Sequence, residues 1–212
     1  MKHWNLIIKR FMDIISSIFG IILLIIFPVF IIVPIAIKLT SKGPVVFTQT
    51  RVGKDYKLFK IYKFRTMIVE QYDKDGNEIM SEHRITKIGR LLRKTSLDET
   101  PQLFNVLNGS MSLVGPRPML DYQAERCEGN ETRRFEFKPG VTGLAQVKGR
   151  NNISWEERIK YDIEYVENFN ILLDIKIILK TIVALFKKSG TEVKPEYRSV
   201  SRFSKNYNPD SD

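Results

Sequence analysis

The apolar run over residues 18–37 constrains the fold of this chain more than any other feature, because so long an apolar segment must be removed from water. At about 1.5 Å per residue, a helix of this length just covers a bilayer core of about 30 Å. Pro28 lies in the middle of the run and Pro34 near its end, and each removes a backbone donor and disfavours a straight helix. We therefore expect a bend near Pro28.

Basic residues stand on both sides of the apolar run. They are Lys2, Lys9 and Arg10 before it, and Lys38, Lys42 and Arg51 after it. The positive-inside rule then gives no preferred crossing direction. Length alone permits a transmembrane helix, but a re-entrant segment that enters, bends and leaves from the same face places both sets of charges on one side. A cleaved signal peptide is disfavoured, since no small-x-small cleavage site follows the run.

Composition narrows the chemistry. The chain has 212 residues and a formal net charge of +10, which favours anionic partners such as membrane headgroups, nucleotide phosphates or nucleic acid. The single cysteine, Cys127, and the two histidines, His3 and His83, form no metal-ligand pattern. Any catalysis is therefore expected from carboxylates, arginines and lysines.

Two β-prone runs, 45–51 and 57–66, follow the apolar segment and are separated by a turn-forming Gly53-Lys54-Asp55. This pattern predicts a β-hairpin, on which Lys63 either contacts a phosphate or belongs to a solvated surface. A polar stretch over 73–78 predicts a surface loop. Apolar residues at helical spacing over 84–94 predict a short amphipathic helix, and Arg93 near its end is best placed to approach the acidic pair that follows.

The segment 96–118 carries the strongest chemical signal. It places two adjacent carboxylates, Asp98 and Glu99, shortly before Arg117, which lies between two prolines and can present a bidentate fork to an oxyanion. Phosphate chemistry requires an anionic nucleophile or metal ligand beside a cationic group. A purely structural interpretation is also open, because Ser96-x-x-Glu99 matches a helix capping box and Asp98 suits an N-cap.

Two further segments follow. The stretch 137–155 predicts a glycine-rich, basic connection in which Arg150 is a candidate anion ligand, although it lacks the P-loop and dinucleotide-binding patterns. The stretch 169–188 is apolar but interrupted by Asp174, Lys176 and Lys180, which suits a helix lying against headgroups or against the core. The polar residues 189–212 predict a loosely ordered tail.

Several motifs, in this order, resemble the bacterial sugar transferase family, the monotopic phosphoglycosyl transferases. They are the apolar hairpin, VVFTQTRVG, FKIYKFRTM, SLDETPQLFNVLNGSMSLVGPRP, PGVTGLAQVKGRN and YDIEYVEN, and the resemblance covers residues 11–188. The predicted fold is α+β and mainly helical. It comprises a re-entrant helix-break-helix membrane anchor at 1–43, a small cytosolic catalytic domain at 44–188 with a β-hairpin and amphipathic interfacial helices, and a polar tail at 189–212.

The resemblance implies an enzyme on the cytoplasmic face of the bacterial inner membrane. Such an enzyme transfers a sugar-1-phosphate from a UDP-sugar to a polyprenol phosphate, by resemblance undecaprenyl phosphate, and releases UMP at the start of glycan assembly. The implied partners are the UDP-sugar, the polyprenol phosphate and membrane lipids, without nucleic acid; association into a homodimer stays open.

By the same resemblance, Asp98 is the nucleophile that forms an aspartyl-phosphosugar intermediate, and Glu99 helps it to hold Mg²⁺. Arg93 and Arg117 are the implied phosphate ligands, with Lys63 and Arg150 as further candidates. Pro28 marks the membrane bend, although family members often carry Ser-Pro there and this chain has Phe27 before the proline.

Two other classes of protein fit parts of the sequence. A glycoside hydrolase needs its two carboxylates on either side of a sugar, about 5 to 9.5 Å apart, which adjacent residues on one turn are badly placed to provide. A non-catalytic basic membrane scaffold or nucleic-acid binder explains the charge and the apolar run. This interpretation assigns no role to the acidic pair, and the sequence shows no nucleic-acid-binding motif.

Overall fold

The computed structural model describes residues 2–72, 79–80, 83–149, 153–186 and 202–203 of the chain. The predicted loop over 73–78, the candidate ligand Arg150 and most of the tail lie outside the described residues. The described residues form the predicted mainly helical α+β structure, with two small sheets. The helices are α1 (Lys2–Ile26), α2 (Val29–Thr40), α3 (Lys87–Thr95), α4 (Gln102–Leu107), α5 (Asp121–Ala124), α6 (Leu144–Gly149), α7 (Trp155–Asn168) and α8 (Ile171–Phe186), and the strands are β1 (Val46–Val52), β2 (Leu58–Phe64), β3 (Ser112–Val114) and β4 (Gly140–Thr142).

The bend predicted at Pro28 is confirmed. Helices α1 and α2 are bent by 62° relative to each other across the Phe27-Pro28 break. Pro28 has a non-helical backbone, and its carbonyl oxygen accepts the first hydrogen bonds of α2, from the amides of Ile31 and Ile32. Pro34 lies inside α2 without ending it. Among the described residues no single helix is long and apolar enough to cross a bilayer, whereas the bent pair meets that test jointly.

The amphipathic pattern of α1 is the reverse of that found on a helix packed in a water-soluble protein. Lys9, Asp13 and Ser17, spaced four residues apart on one face, are buried. The other faces expose large apolar side chains: Trp4, Leu6, Ile7, Ile8, Phe11, Ile15, Ile18, Phe19, Ile22, Leu23, Ile25 and Ile26. The polar face of α1 therefore contacts the rest of the chain, and its apolar faces are left without protein contacts.

Buried charges on α1 hold the core beneath it. The Lys9 ammonium donates to the Asp174 carboxylate of α8 at 2.6 Å and to the Val114 carbonyl of β3 at 2.8 Å. The Asp13 carboxylate accepts from the Ser112 hydroxyl at 3.0 Å and from the Leu113 amide at 2.9 Å. Helix α1 is thus fastened to β3 and α8 by hydrogen bonds in which one partner is charged, which are the stronger kind.

Arg10 has a similar structural role. Its guanidinium donates to the carbonyls of Val106 and Leu107 at 2.5 and 2.8 Å, and so satisfies the C-terminal carbonyls of α4. Lys9 and Arg10 stand before the apolar run, as the charge pattern has them, and they have a second role that this pattern did not predict. Both contact the core of the domain.

Strands β1 and β2 form the predicted antiparallel hairpin, in which Thr48 pairs with Tyr62. The side chain of Asn105, on α4, forms hydrogen bonds with backbone groups at the edge of β2. It accepts from the Tyr62 amide at 3.0 Å and donates to the Lys60 carbonyl at 2.8 Å. This fully buried amide therefore fixes α4 against the hairpin with both of its polar functions satisfied.

The glycine-rich segment 137–155 is more regular than the predicted connection, because it contains β4 and α6. Strand β4 runs parallel to β3, with Ser112 opposite Gly140. The chains approach so closely that a Cβ on Gly140 would lie 2.1 Å from the Gly115 amide nitrogen. Glycine is required here for the close approach of two backbones.

Two described residues of the tail depart from the expected loosely ordered end. Phe203 is completely buried, in the same core cluster as Val52 and Met119, and Arg202 pairs with Glu131. Helix α8 is amphipathic, as predicted. It buries Asp174 and Ile177, and it exposes Leu172, Ile175, Leu179, Ile182 and Val183.

Candidate active site

The two carboxylates lie on a single 3₁₀ turn, Leu97–Glu99, between α3 and α4. Helix α3 starts later than predicted, because Thr86 caps it by accepting from the Gly89 amide at 2.8 Å. It ends at Ser96, whose left-handed backbone (φ 58°) turns the chain into the 3₁₀ turn. No side-chain capping bond precedes this turn, and the Glu99 carboxylate points to distant cations instead. The capping-box interpretation is therefore wrong, and Asp98 is not an N-cap.

Glu99 is held by two cations from different parts of the chain. Its Oε1 accepts from the Lys63 ammonium at 2.6 Å and from the Arg117 guanidinium at 3.4 Å. Burial alone raises the pKa of Glu99, but the charges of Arg117 and Lys63 outweigh it and lower the pKa to about 2. Glu99 is consequently an ionised carboxylate at any physiological pH.

Asp98 has the opposite environment. Burial, followed by the charge of Glu99, raises its pKa, while Lys63, Arg93 and its own backbone amide act against the rise. Among the described residues no cation forms an ion pair with the Asp98 carboxylate. The adjacent acids therefore differ sharply: Glu99 is paired with two cations, whereas Asp98 has no ion pair among the described residues and accepts a hydrogen bond from its own backbone amide.

A small open cleft of about 30 Å³ lies beside Glu99. Its lining combines cations with a buried amide and apolar groups: Arg51, Ile61, Lys63, Glu99, Gln102, Arg117, Pro118 and Gly140. Arg51 was not predicted as a site residue, although it belongs to the VVFTQTRVG motif that carries the family resemblance. Burial and the nearby charge of Arg117 lower the pKa of Arg51 to about 10. Two arginines thus share one small cleft, which is how proteins bind phosphate oxygens.

Hydrogen bonds on two sides fix the backbone of the loop that carries Arg117. The Arg134 guanidinium donates to the Arg117 carbonyl at 2.8 Å and to the buried Asp162 carboxylate at 2.5 Å. On the other side, the Gly115 amide donates to the Thr142 carbonyl at 2.9 Å. With Pro116 and Pro118 restricting φ, the backbone of this loop has little freedom. The Arg117 side chain is therefore presented from a rigid base.

Arg93 lies near the acids without pairing with them in the described structure. Its Nε donates to the Thr66 hydroxyl at 2.9 Å, and its charge lowers the pKa of Asp98. The fold thus brings together Asp98, Glu99, Lys63 and Arg117, with Arg93 at the edge. Among the residues with described side chains, no group of three or more His, Cys, Asp or Glu side chains could hold a metal ion. In this part of the chain, the acidic pair of Asp98 and Glu99 is the candidate for holding a metal ion together with substrate oxygens.

Comparison with known proteins identifies the family. The sequence model of the family described as Bacterial sugar transferase matches residues 4–188, so the chain belongs to the bacterial sugar transferases. It is 45% identical over 188 residues to a protein named as the uncharacterized sugar transferase EpsL of Bacillus subtilis, covering 88% of this chain and 91% of that protein.

Two longer relatives carry more specific names. The chain is 44% identical over 187 residues to a UDP-glucose:undecaprenyl-phosphate glucose-1-phosphate transferase of Klebsiella pneumoniae, covering 84% of this chain and 40% of that protein. It is 42% identical over 204 residues to the galactosyl transferase CpsE of Streptococcus agalactiae, covering 90% of this chain and 45% of that protein. The chain therefore spans less than half the length of these two relatives.

Proposed function

We propose that this protein transfers a sugar-1-phosphate from a UDP-sugar to a polyprenol phosphate and releases UMP. The observation that carries the proposal is the contrast between two adjacent carboxylates at a cationic cleft: Glu99 lines the cleft and is paired with Lys63 and Arg117, and Asp98 beside it has no ion pair among the described residues. The names of the relatives from Klebsiella pneumoniae and Escherichia coli, both UDP-glucose:undecaprenyl-phosphate glucose-1-phosphate transferases, support the same reaction class.

Asp98 is the nucleophile of the proposed mechanism. One of its carboxylate oxygens attacks the phosphorus that bears the sugar, and the bond from that phosphorus to the bridging oxygen breaks, so that UMP leaves. The result is an aspartyl-phosphosugar. An oxygen of the polyprenol phosphate then attacks the same phosphorus, which breaks the acyl-phosphate bond and restores Asp98. A carboxylate is a weak nucleophile, and two displacements replace one difficult step.

The cations of the cleft account for the rest of the mechanism. Arg117 and Arg51 lie where they neutralise the diphosphate of the donor and the charge that develops on UMP. Lys63 reaches the Glu99 carboxylate and lowers the pKa of Asp98, which favours the ionised nucleophile. Arg93, oriented by Thr66, adds a further positive charge next to Asp98.

Mg²⁺ fits this donor set. The ion prefers oxygen ligands and is usually held by one or two carboxylates together with substrate phosphates and water. Asp98 and the Oε2 atom of Glu99 would hold it, because the described hydrogen bonds of Glu99 use only Oε1. When bound, it would supply charge neutralisation for the phosphate oxygens.

The reversed pattern of α1 supports a membrane location. Large apolar side chains are exposed along α1, α2 and α8, and monomeric soluble proteins rarely expose so many together. We propose that α1 and α2 form a re-entrant hairpin in the cytoplasmic membrane with the cleft on the cytoplasmic face, and that α8 lies in the interface. Cysteines replacing Trp4 and Lys42 should then react with an impermeant maleimide only from the cytoplasmic side. Labelling of the two positions from opposite sides would indicate a transmembrane segment.

The reaction is tested by UMP release from UDP-glucose, UDP-galactose and N-acetylated UDP-hexoses with Mg²⁺ and undecaprenyl phosphate. We expect Asp98→Asn to reduce turnover by at least about a thousandfold and Glu99→Gln by about a hundredfold or more. Asp121→Asn is the matched control, because this carboxylate is exposed outside the cleft. Radiolabel from the sugar should stay on the protein when the polyprenol phosphate is left out.

Three outcomes would contradict the proposal in different ways. If Asp98→Asn turns over like wild type, Asp98 is not the nucleophile. If turnover occurs but no label is retained on the protein, the transfer is direct. If no UDP-sugar releases UMP and the protein binds nucleic acid in a salt-dependent way, the non-enzymatic interpretation of its charge is favoured.

A further inference from the structure

The two described residues of the tail, Arg202 and Phe203, lie beyond the region matched by the family model and yet join the core. Phe203 has no exposed surface, and its ring lies 6.1 Å from that of Trp155 on α7. Arg202 pairs with Glu131 and stacks over the Phe203 ring at 4.8 Å. The buried ring of Phe203 and the ion pair of Arg202 therefore attach this part of the tail at a defined place on the domain.

The place of attachment is the back of the cleft. Phe203 shares a buried cluster with Val52 and Met119. Val52 directly follows Arg51, and its amide donates to the Met119 carbonyl at 3.0 Å. This bridge joins the end of β1 to the chain just after Pro118. The ring of Phe203 therefore belongs to the packing beneath the segments that carry Arg51 and Arg117.

Hydrogen bonds continue the same connection. The Gln123 amide group donates to the Phe203 carbonyl at 3.3 Å, and its oxygen accepts from the Leu120 amide at 3.0 Å. Arg126 donates to the Arg202 carbonyl at 2.8 Å. Gln123 and Arg126 follow the Arg117 loop closely in sequence, so that the tail is joined to the segment after this loop both by packing and by polar bonds.

We propose that Arg202 and Phe203 are positioning residues for the cleft: they fix the bridge between Val52 and Met119, and thereby the spacing of Arg51 and Arg117 for a nucleotide phosphate. This inference rests on the proposed function for its ligand, but the fixing of the bridge is a property of the protein alone. The two parts can therefore be tested separately.

The experiment uses the full-length protein in nanodiscs and compares Phe203→Ala with Phe203→Leu, which keeps an apolar side chain of similar reach. Ile177→Ala is the control, because it removes an equally buried side chain from a different cluster, on α8. Hydrogen exchange measured by mass spectrometry reports on the amides of Val52 and Leu120. Calorimetry with UMP reports the affinity of the cleft without requiring turnover.

We expect Phe203→Ala to raise exchange in the peptides around Val52 and Leu120 at least fivefold and to raise the Kd for UMP at least fivefold. Phe203→Leu should change both by less than twofold, and Ile177→Ala should lower thermal stability without changing either. Should Phe203→Ala fail to fold, Gln123→Leu takes its place, because it removes the polar link to the Phe203 carbonyl. Its exchange is read at Val52 alone, since Gln123 itself accepts from the Leu120 amide. The same increases are expected, by threefold or more.

Two results would overturn the inference. One is unchanged exchange at both amides in Phe203→Ala, or at Val52 in Gln123→Leu where that variant takes its place. The other is an equal increase in exchange in Ile177→Ala. If wild type does not bind UMP at all, the proposed function fails, while the exchange result still decides whether the tail fixes the bridge. If exchange rises but the Kd for UMP does not, the positioning of Arg51 and Arg117 by the tail is refuted.

Discussion

The buried ion pair between Lys9 and Asp174 offers the sharpest test of how α1 is attached to the domain. The side chains are only 8% and 4% exposed, and they join the first helix to the last described one at 2.6 Å. Replacing Asp174 alone by Leu leaves the Lys9 ammonium buried with the Val114 carbonyl as its remaining partner. Removing one member of a buried pair costs about 3 to 5 kcal/mol, since an uncompensated charge stays in the interior. For a chain of this size that corresponds to a fall in Tm of about 6 to 20 °C.

The double variant Lys9→Met/Asp174→Leu should behave differently. Apolar replacement of both members of a buried pair is often neutral or stabilising, so we expect most of the lost Tm to return. The Tyr165 hydroxyl loses its 2.8 Å bond to Asp174, but it lies 3.4 Å from the Val114 carbonyl, which limits the loss. Thermal unfolding in one detergent, followed by near-ultraviolet circular dichroism, gives all the midpoints. A single variant that melts like wild type, or a double variant no more stable than the single one, would refute this account of the pair.

Three further predictions concern the cleft and its supports. Lys63→Met should move the acid limb of the pH profile for UMP release to higher pH. The charge of Lys63 acts against the rise in the pKa of Asp98, and the nucleophile must be ionised. An acid limb that stays in place or moves to lower pH contradicts this. Gly89→Ala should destabilise the protein by about 1 to 3 kcal/mol in chemical unfolding, since its Cβ would lie 1.9 Å from the carbonyl oxygen of Thr66; a neutral effect would show that α3 moves freely. Arg134→Lys keeps the charge but loses the guanidinium that donates to the Arg117 carbonyl and the Asp162 carboxylate together. We therefore expect weaker UMP binding by calorimetry. Unchanged affinity would argue against a rigid loop.

The bend and the hairpin were predictable from the sequence because each depends on local rules. Proline at position 28 removes a donor wherever it stands in a helix. Two β-prone runs around a turn pair with each other over a short separation. The capping-box interpretation failed for a different reason: the partners of Glu99 are far away in sequence, and a local pattern of residues does not reveal them.

The buried face of α1 was missed although its signal is present. Lys9, Asp13 and Ser17 recur every four residues in a helix that is mostly apolar, which places them on one side. The positive-inside rule, applied to charge counts alone, led us to assign Lys9 to a flanking segment. A polar stripe on an apolar helix indicates that the rest of the protein packs against that stripe. The positions of the charges around the helix, and not only their number, carry this information.

Arg51 and Phe203 could not be assigned from spacing, because their roles arise only when distant segments meet. Arg51 lies in the cleft because β1 runs beside the loop after Pro116, and its neighbour Val52 bonds across to Met119. Phe203 belongs to a polar stretch in which scattered aromatic residues form no pattern. Tertiary contact determines both.

The charges of the cleft explain how an anionic nucleophile can meet an anionic substrate. Glu99 lines the cleft with three cations, Arg51, Lys63 and Arg117, and Asp98 lies next to Glu99, where the charge of Lys63 reaches it. These five side chains together carry one positive charge before any ligand binds. Lys63 comes from 36 residues before Glu99, and Arg117 from 18 residues after it. A diphosphate can therefore approach Asp98 without net repulsion only when the hairpin and the proline-flanked loop are both in place. Assembly of the fold around the acidic turn is thus a condition for the proposed chemistry, because the turn alone carries two negative charges and would repel the donor.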